Sequence, residues 1–370
     1  MTICKSGRSG VKRYTSKGEF PQLEVNSHKV STPRPHAIYW VISLSLAAVL
    51  LWYSLQGIEW ARVWQIVKSA RAGGVGLAMA LMSSTLFLRA YRWRVLLQAE
   101  GNISIADAFW ATSAGYLGNS VLPARAGEVV RTVMISRKSG MTKTFVLTTA
   151  LSERVVDAIA LITISASVLL VLPEKPGWLA DAAKPFAVLG LCGVAAIAFV
   201  PIFESFWFRL LAKLPVPHRL REMAEHALRH GLQGIRSFHD PRRLVRFLGL
   251  TAVIWFLDGV TTVVTANSIG LTISLPVAFL LIAGLGLGSA VPSTPGYVGV
   301  YQFVAVSILT PFGLSKTDAI AYILLYQAMN YVMVLFWGGL GLGQQRKGAT
   351  SHGTVGARAD SGIIKAEERA

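Results

Sequence analysis

Residues 115–129 read GYLGNSVLPARAGEV, and 169 positions later residues 284–298 read GLGLGSAVPSTPGYV. Laid over one another, Gly115 meets Gly284, Ser120 meets Ser289, Pro123 meets Pro292, Gly127 meets Gly296 and Val129 meets Val298. Each stretch interrupts a long apolar run with proline and glycine, the residues that end or kink helices. In hydrocarbon such an interruption is tolerated only where the freed backbone groups meet protein or cavity water. Both stretches therefore read as tips of re-entrant hairpins, shaped by Pro123, Gly127, Pro292, Pro295 and Gly296.

Outward from these tips the chain is apolar. Of 370 residues, 53% are hydrophobic and 15% are charged, whereas a water-soluble domain carries about a quarter charged residues. Runs able to cross ~30 Å of hydrocarbon fall near 37–56, 74–97, 144–172, 185–203, 247–269 and 318–343. The expected fold class is all-α, a polytopic membrane protein with about six full spans plus the two hairpins. Repeat one covers about 74–172 and repeat two about 247–343, within a transmembrane domain of 37–343. Three crossings separate the first span of one repeat from that of the other, so the copies should face opposite ways. Residues 1–36 and 344–370 read as disordered polar arms, and 204–246 as a basic amphipathic segment.

The net charge of +17 could suggest nucleic acid, but its placement argues otherwise. Loops expected on one side hold 29 Lys and Arg, and those expected on the other hold 6. This is the positive-inside bias. It implies an inner-membrane, multi-pass protein with both termini cytoplasmic and its basic loops on anionic lipid. Cys4 and Cys192 fall in different compartments and cannot pair. No cleavable signal peptide is expected, since residues 1–36 lack a short apolar core. The segment 57–73 reads as a short interfacial helix on the outer side.

Charges inside apolar spans are the candidate site. Glu153 and Asp157 are four apart and Arg154 lies three before Asp157, so all three fit one arc of a helix. Ionisable groups in mid-bilayer cost about 2.5–3.5 kcal/mol each and mark functional sites by default. An Arg154–Asp157 pair that merely pins helices is the simpler alternative. Arg89 and Arg92 share a face, and Arg89 lies over Asp258 in the repeat register. Arg89 and Asp258 read as cavity residues, whereas Arg92 and Arg94 equally fit snorkelling to headgroups. Arg125, Glu128 and Arg131 leave the first hairpin facing the same cavity, with a snorkelling position at the inner interface the alternative for all three. The second hairpin offers exposed backbone groups, Ser293, Thr294 and Gln302, with pure packing the alternative. The His226/His230 spacing with Glu222 fits a solvated helix face better than a metal site, so no metal or cofactor is expected.

LRAYRWRVLL, GYLGNSVLPARAGEVVR, the SERVVD cluster and PSTPGYVGVYQ together resemble the flippase-like family formed by the transmembrane region of lysylphosphatidylglycerol synthases. The resemblance covers about residues 37–343. It implies a helical membrane domain that moves lipid headgroups between leaflets. It also implies functional positions at Arg89, Arg92, Asn119, Pro123, Arg125, Gly127, Glu128, Arg131, Glu153, Arg154, Asp157, Pro292, Pro295 and Gly296. In this chain Tyr297 stands where the family often has a second glycine, and Gln302 where it has an acid. The family's soluble aminoacyl-transferring domain is not seen after position 343, so lipid lysinylation is not expected.

The expected activity is that of a lipid flippase or transporter rather than an enzyme. Its partners are membrane lipids, either anionic phospholipid or a lipid-linked substrate, with homo-oligomerisation allowed. Arg89, Arg125, Arg131 and Arg154 would bind phosphate. Glu128, Glu153 and Asp157 would balance them or hold a cation. An integral-membrane transferase and a non-transporting scaffold are the competing classes.

Overall fold

The computed structural model describes residues 35–122, 126–172, 177–199, 240–289 and 295–367, with isolated positions at 209, 220, 222 and 225. The expected arm at 1–36 lies almost wholly outside the described residues, as do Pro123, Arg125, Pro292, Ser293, Thr294 and nearly all of the 204–239 stretch.

Among the described residues the chain is all helical, with no strand. In chain order the helices are α1 (Pro35–Leu55), α2 (Trp60–Lys68), α3 (Ala72–Leu97), α4 (Ile105–Val121), α5 (Gly127–Ser139), α6 (Lys143–Val171), α7 (Gly177–Phe199), α8 (Pro241–Ser268), α9 (Leu275–Gly288), α10 (Val300–Leu309) and α11 (Lys316–Glu367). Side-chain caps start several of them. Ser104 Oγ accepts from the Asp107 N–H ahead of α4, Thr142 from Phe145 ahead of α6, and Asp240 from Arg242 ahead of α8, each satisfying a donor that the first turn leaves unpaired.

Four helices are long and apolar enough to cross a membrane: Ala72–Leu97, Lys143–Val171, Pro241–Ser268 and Lys316–Gln344. They coincide with four of the six spans expected from sequence. The other two fall on α1 and on α7, which carries Pro185 inside it. The last helix runs on to Glu367, through the stretch expected to be a disordered tail. No proline occurs after Lys316 to stop it.

Both interrupted runs are broken helices. Leu122, next to Pro123, is extended at φ −92° and ψ 147°, the conformation that a following proline imposes. The chain returns on itself so tightly that α4 and α5 meet backbone to backbone. A Cβ on Gly127 would lie 1.9 Å from the Gly115 carbonyl oxygen, so only glycine fits there. In the second run, α9 ends at Gly288, and α10 starts at Val300 after a short 3-10 turn, Pro295–Tyr297, with positive φ at Gly296, Tyr297 and Gly299.

Shifted by 169 positions, α3, α4, α5 and α6 fall on α8, α9, α10 and α11. The helices α3 and α8 pack antiparallel. The Arg71 N–H donates to the Ser268 carbonyl at 2.8 Å near one end, and Arg92 donates to Thr251 at 3.0 Å toward the other. Each hairpin's first helix crosses the last helix of the other half. Gly338 and Gly341 of α11 lie on Leu117 and Trp110 of α4, and Gly286 of α9 lies on Leu161 of α6. One large apolar core fills the space between α3, α8, α9, α10 and α11, and a second joins the end of α3 to α4, α5 and α6. Leu170, Val171, Phe256, Leu335 and Phe336 point outward and stay exposed, as lipid-facing side chains do.

Candidate functional site: a charged cavity between the long helices

The interior holds four arginines and four carboxylates. They come from α3 (Arg89, Arg92), α5 (Glu128, Arg131), α6 (Glu153, Arg154, Asp157) and α8 (Asp258). Isolated charges at this depth would be costly, and each is matched by an opposite charge.

Arg92 is the centre. It is 0% exposed, and it donates to Glu153 Oε1 from Nε at 3.2 Å and from one terminal nitrogen at 2.8 Å. It also reaches Asp157 at 2.7 and 2.9 Å and Thr251 Oγ1 at 3.0 Å, while its guanidinium lies over the Phe247 ring. The planar fork of guanidinium suits such paired contacts. Glu153, 1% exposed, receives Arg131 on its second oxygen at 3.0 Å. Arg131 also pairs with Glu128 at 2.5 Å and stacks 4.4 Å from the Trp93 ring centre. The Trp93 indole N–H donates to Thr149. Arg92, Arg131 and Glu153 thus form a dry strut that ties α3, α5, α6 and α8 together.

In front of the strut lies a cavity of about 450 Å³, with Arg89, Asn119, Glu128, Arg154, Asp157 and Asp258 in its walls. Arg89 and Asp258, the pair that coincides in the repeat register, form a close ion pair across the antiparallel α3–α8 contact, with Arg89 over the Trp255 ring. Arg154 differs from the other arginines. Its contacts to Glu128, Glu153 and Asp157 are 3.4, 3.7 and 3.7 Å, and its side chain is 25% exposed. Those lengths exceed ordinary charge-assisted hydrogen bonds. The rest of the wall is aromatic and amide: Tyr116, Tyr297, Tyr301, Tyr326 and Asn330.

Of the residues singled out from sequence, Arg89, Arg92, Asn119, Glu128, Arg131, Glu153, Arg154, Asp157 and Asp258 are brought together here. Arg131 and Arg92 lie behind the wall, not on it. Gly296 sits in the second hairpin, where its carbonyl accepts from Gln327 at 3.1 Å and Tyr331 at 3.0 Å. At φ 76°, with a would-be Cβ 1.5 Å from the Tyr331 hydroxyl, this position admits only glycine. Gln302 donates to Gln327 at 2.6 Å and accepts from the Gly299 N–H at 2.7 Å. Sequence reading missed Thr251, Trp255, Gln327, Asn330 and Tyr331. Gln327/Tyr331 and Tyr326/Asn330 are i,i+4 pairs of polar groups inside an apolar span, the spacing that exposed Glu153 and Asp157.

Among the described residues, no group of three or more His, Cys, Asp or Glu has an arrangement that would hold a metal ion. The cavity carboxylates are instead interleaved with guanidinium groups.

Comparison with known proteins places this architecture. The family model for the lysylphosphatidylglycerol synthase TM region matches residues 40–338. The chain belongs to this family. As a member of the lysylphosphatidylglycerol synthase TM-region family, it is a multi-pass membrane protein. It is 24% identical over 222 residues to the UPF0104 membrane protein MJ1078 of Methanocaldococcus jannaschii, covering 60% of this chain and 91% of that one. It is 23% identical over 339 residues to Glycosyltransferase AglD of Haloferax volcanii, covering 80% of this chain and 52% of that one. This family member thus spans about half the length of AglD.

Proposed function

We propose that this protein moves the polar headgroup of a membrane lipid between leaflets. The observation that carries the reading is the cavity of about 450 Å³, walled by Arg89, Arg154, Glu128, Asp157 and Asp258, set among helices long enough to cross a bilayer. A polar pocket at that depth is useful only to something that must pass or dwell there. The phosphate of a lipid head would enter against Arg154 while its acyl chains stay in hydrocarbon. Arg92, Arg131 and Glu153 act as the rigid backing and do not touch the lipid. The antiparallel contact of α3 with α8, and the mirrored crossings of α4 on α11 and α9 on α6, support an inverted repeat whose halves rock against each other. The distribution of Lys and Arg supports an inner-membrane location with cytoplasmic termini.

The likeness to Glycosyltransferase AglD favours one competing reading, that of a transferase. Purified protein in liposomes separates the two. A transferase changes the mass of a labelled lipid, and a flippase changes only its sidedness. Arg154→Gln is expected to abolish movement of an anionic fluorescent phospholipid while insertion and thermal stability are kept. Movement at the wild-type rate in that variant, or no movement of any lipid by the wild type, would refute the proposal.

A further inference from the structure

We infer that the cavity is built for a phosphate bearing an uncharged polyhydroxy ring, with Arg154 as the phosphate anchor and the Tyr297–Tyr301 pair as the platform for the ring. The inference rests on the transport reading above and narrows its substrate.

Each cavity carboxylate already faces an arginine. Asp258 is paired with Arg89, Asp157 with both terminal nitrogens of Arg92 at 2.7 and 2.9 Å, and Glu128 with Arg131 at 2.5 Å. A headgroup ammonium would have to compete with a guanidinium for Asp157 and Asp258, whose oxygens already accept close charge-assisted bonds. The arginines are not equally committed. Arg92 and Arg131 are buried behind the wall, and Arg89 is held by Asp258 and the Trp255 ring. Arg154, with its nearest carboxylate oxygens at 3.4 and 3.7 Å and its ring contact to Tyr116 at 5.8 Å, keeps donors to give. The eight charged side chains sum to zero, so a single anion laid on Arg154 meets no surplus negative charge.

The remaining wall decides what the phosphate carries. Tyr297 and Tyr301 stack 5.0 Å apart at 13°, and Tyr326, Asn330, Asn119 and Ser120 add hydroxyl and amide groups without charge. Flat aromatic faces with neutral hydrogen-bonding groups at their edges match a ring that has apolar C–H faces and a hydroxylated rim. An acyl chain would offer nothing to Asn119 Oδ1, which is buried without a hydrogen-bond partner. Phosphatidylinositol and a polyprenyl-phosphate hexose share this chemistry, and the test separates them.

Native mass spectrometry of the detergent-purified protein would compare four lipids at equal concentration: phosphatidylinositol, a polyprenyl-phosphate hexose, phosphatidylglycerol and lysyl-phosphatidylglycerol. At least one ring-bearing lipid is expected to bind tenfold or more tighter than phosphatidylglycerol, and lysyl-phosphatidylglycerol no tighter than phosphatidylglycerol. Arg154→Gln is expected to lose binding of every phosphate lipid, with Arg154→Lys restoring part of it. Tyr301→Leu is expected to bring ring lipids down to the phosphatidylglycerol level and leave phosphatidylglycerol itself unchanged. A preference for the lysyl lipid, or unchanged ring-lipid binding in both Arg154→Gln and Tyr301→Leu, overturns the inference. Liposome translocation of the same lipids keeps the two proposals apart. Ring-lipid preference without movement refutes transport alone, and movement led by the lysyl lipid refutes the ring-bearing substrate alone.

Discussion

Removing the Arg92 guanidinium should cost more stability than any other single change in the charged interior. Arg92→Met keeps side-chain length and apolar bulk but deletes five donated hydrogen bonds, four to Glu153 and Asp157 and one to Thr251. Glu153 would retain Arg131 at 3.0 Å, but Asp157 would be left with only the 3.7 Å approach of Arg154. Breaking one side of a buried pair costs about 3–5 kcal/mol. That is a loss of about a hundred- to several-thousand-fold in the folding equilibrium. Arg154, 25% exposed and held only by long contacts, should cost no more than ~1 kcal/mol when changed to Gln. SDS-titrated unfolding in mixed micelles, followed by far-UV circular dichroism, reads both. A double change, Arg92→Met with Asp157→Leu, should recover part of the single loss because it removes the orphaned charge as well. If Arg92→Met unfolds at the same SDS fraction as Arg154→Gln, or if the double variant is fully additive, the strut is not what holds these helices together.

Two further outcomes follow from the geometry. Gly127→Ala puts a methyl 1.9 Å from the Gly115 carbonyl oxygen, so α4 and α5 must separate. The variant should show raised protease cleavage within 115–131, and wild-type resistance there would contradict the close approach. Arg89→Asp and Asp258→Arg should each destabilise by ~1–3 kcal/mol, less than a fully dry pair because both line the cavity. The double exchange should regain most of that loss in the same SDS titration, and no recovery would mean that the ion pair across α3 and α8 carries little coupling.

Hydrophobic run length made four of the long helices legible in the sequence, and Pro123, Gly127, Pro295 and Gly296 marked where apolar runs would break. Glu153, Arg154 and Asp157 stood out because charge is rare in such spans. What the sequence hid was how these groups divide between wall and interior. Arg92 fitted a snorkelling side chain as well as a buried one, because its acceptors lie on other helices, 61, 65 and 159 positions away. Arg131 looked available for phosphate and instead lies against Trp93, a contact that depends on where α5 docks on α3. The aromatic wall was invisible for another reason. Tyrosine and tryptophan in a membrane chain read first as interfacial anchors, and only the packing of the second hairpin with α11 brings Tyr297, Tyr301 and Tyr326 to one cavity.

The strut also bears on how the chain is made. On its own, α6 carries Glu153, Arg154 and Asp157 near its middle, a load of ~2.5–3.5 kcal/mol for each charge during insertion. The partners that cancel this load arrive earlier from the ribosome, as Arg92 on α3 and Arg131 on α5. Release of α6 into lipid is therefore favoured only once those helices are waiting beside it. Biogenesis of the first half becomes a cooperative handover, in which a lesion in α3 is felt as a failure of α6 to leave the insertion machinery.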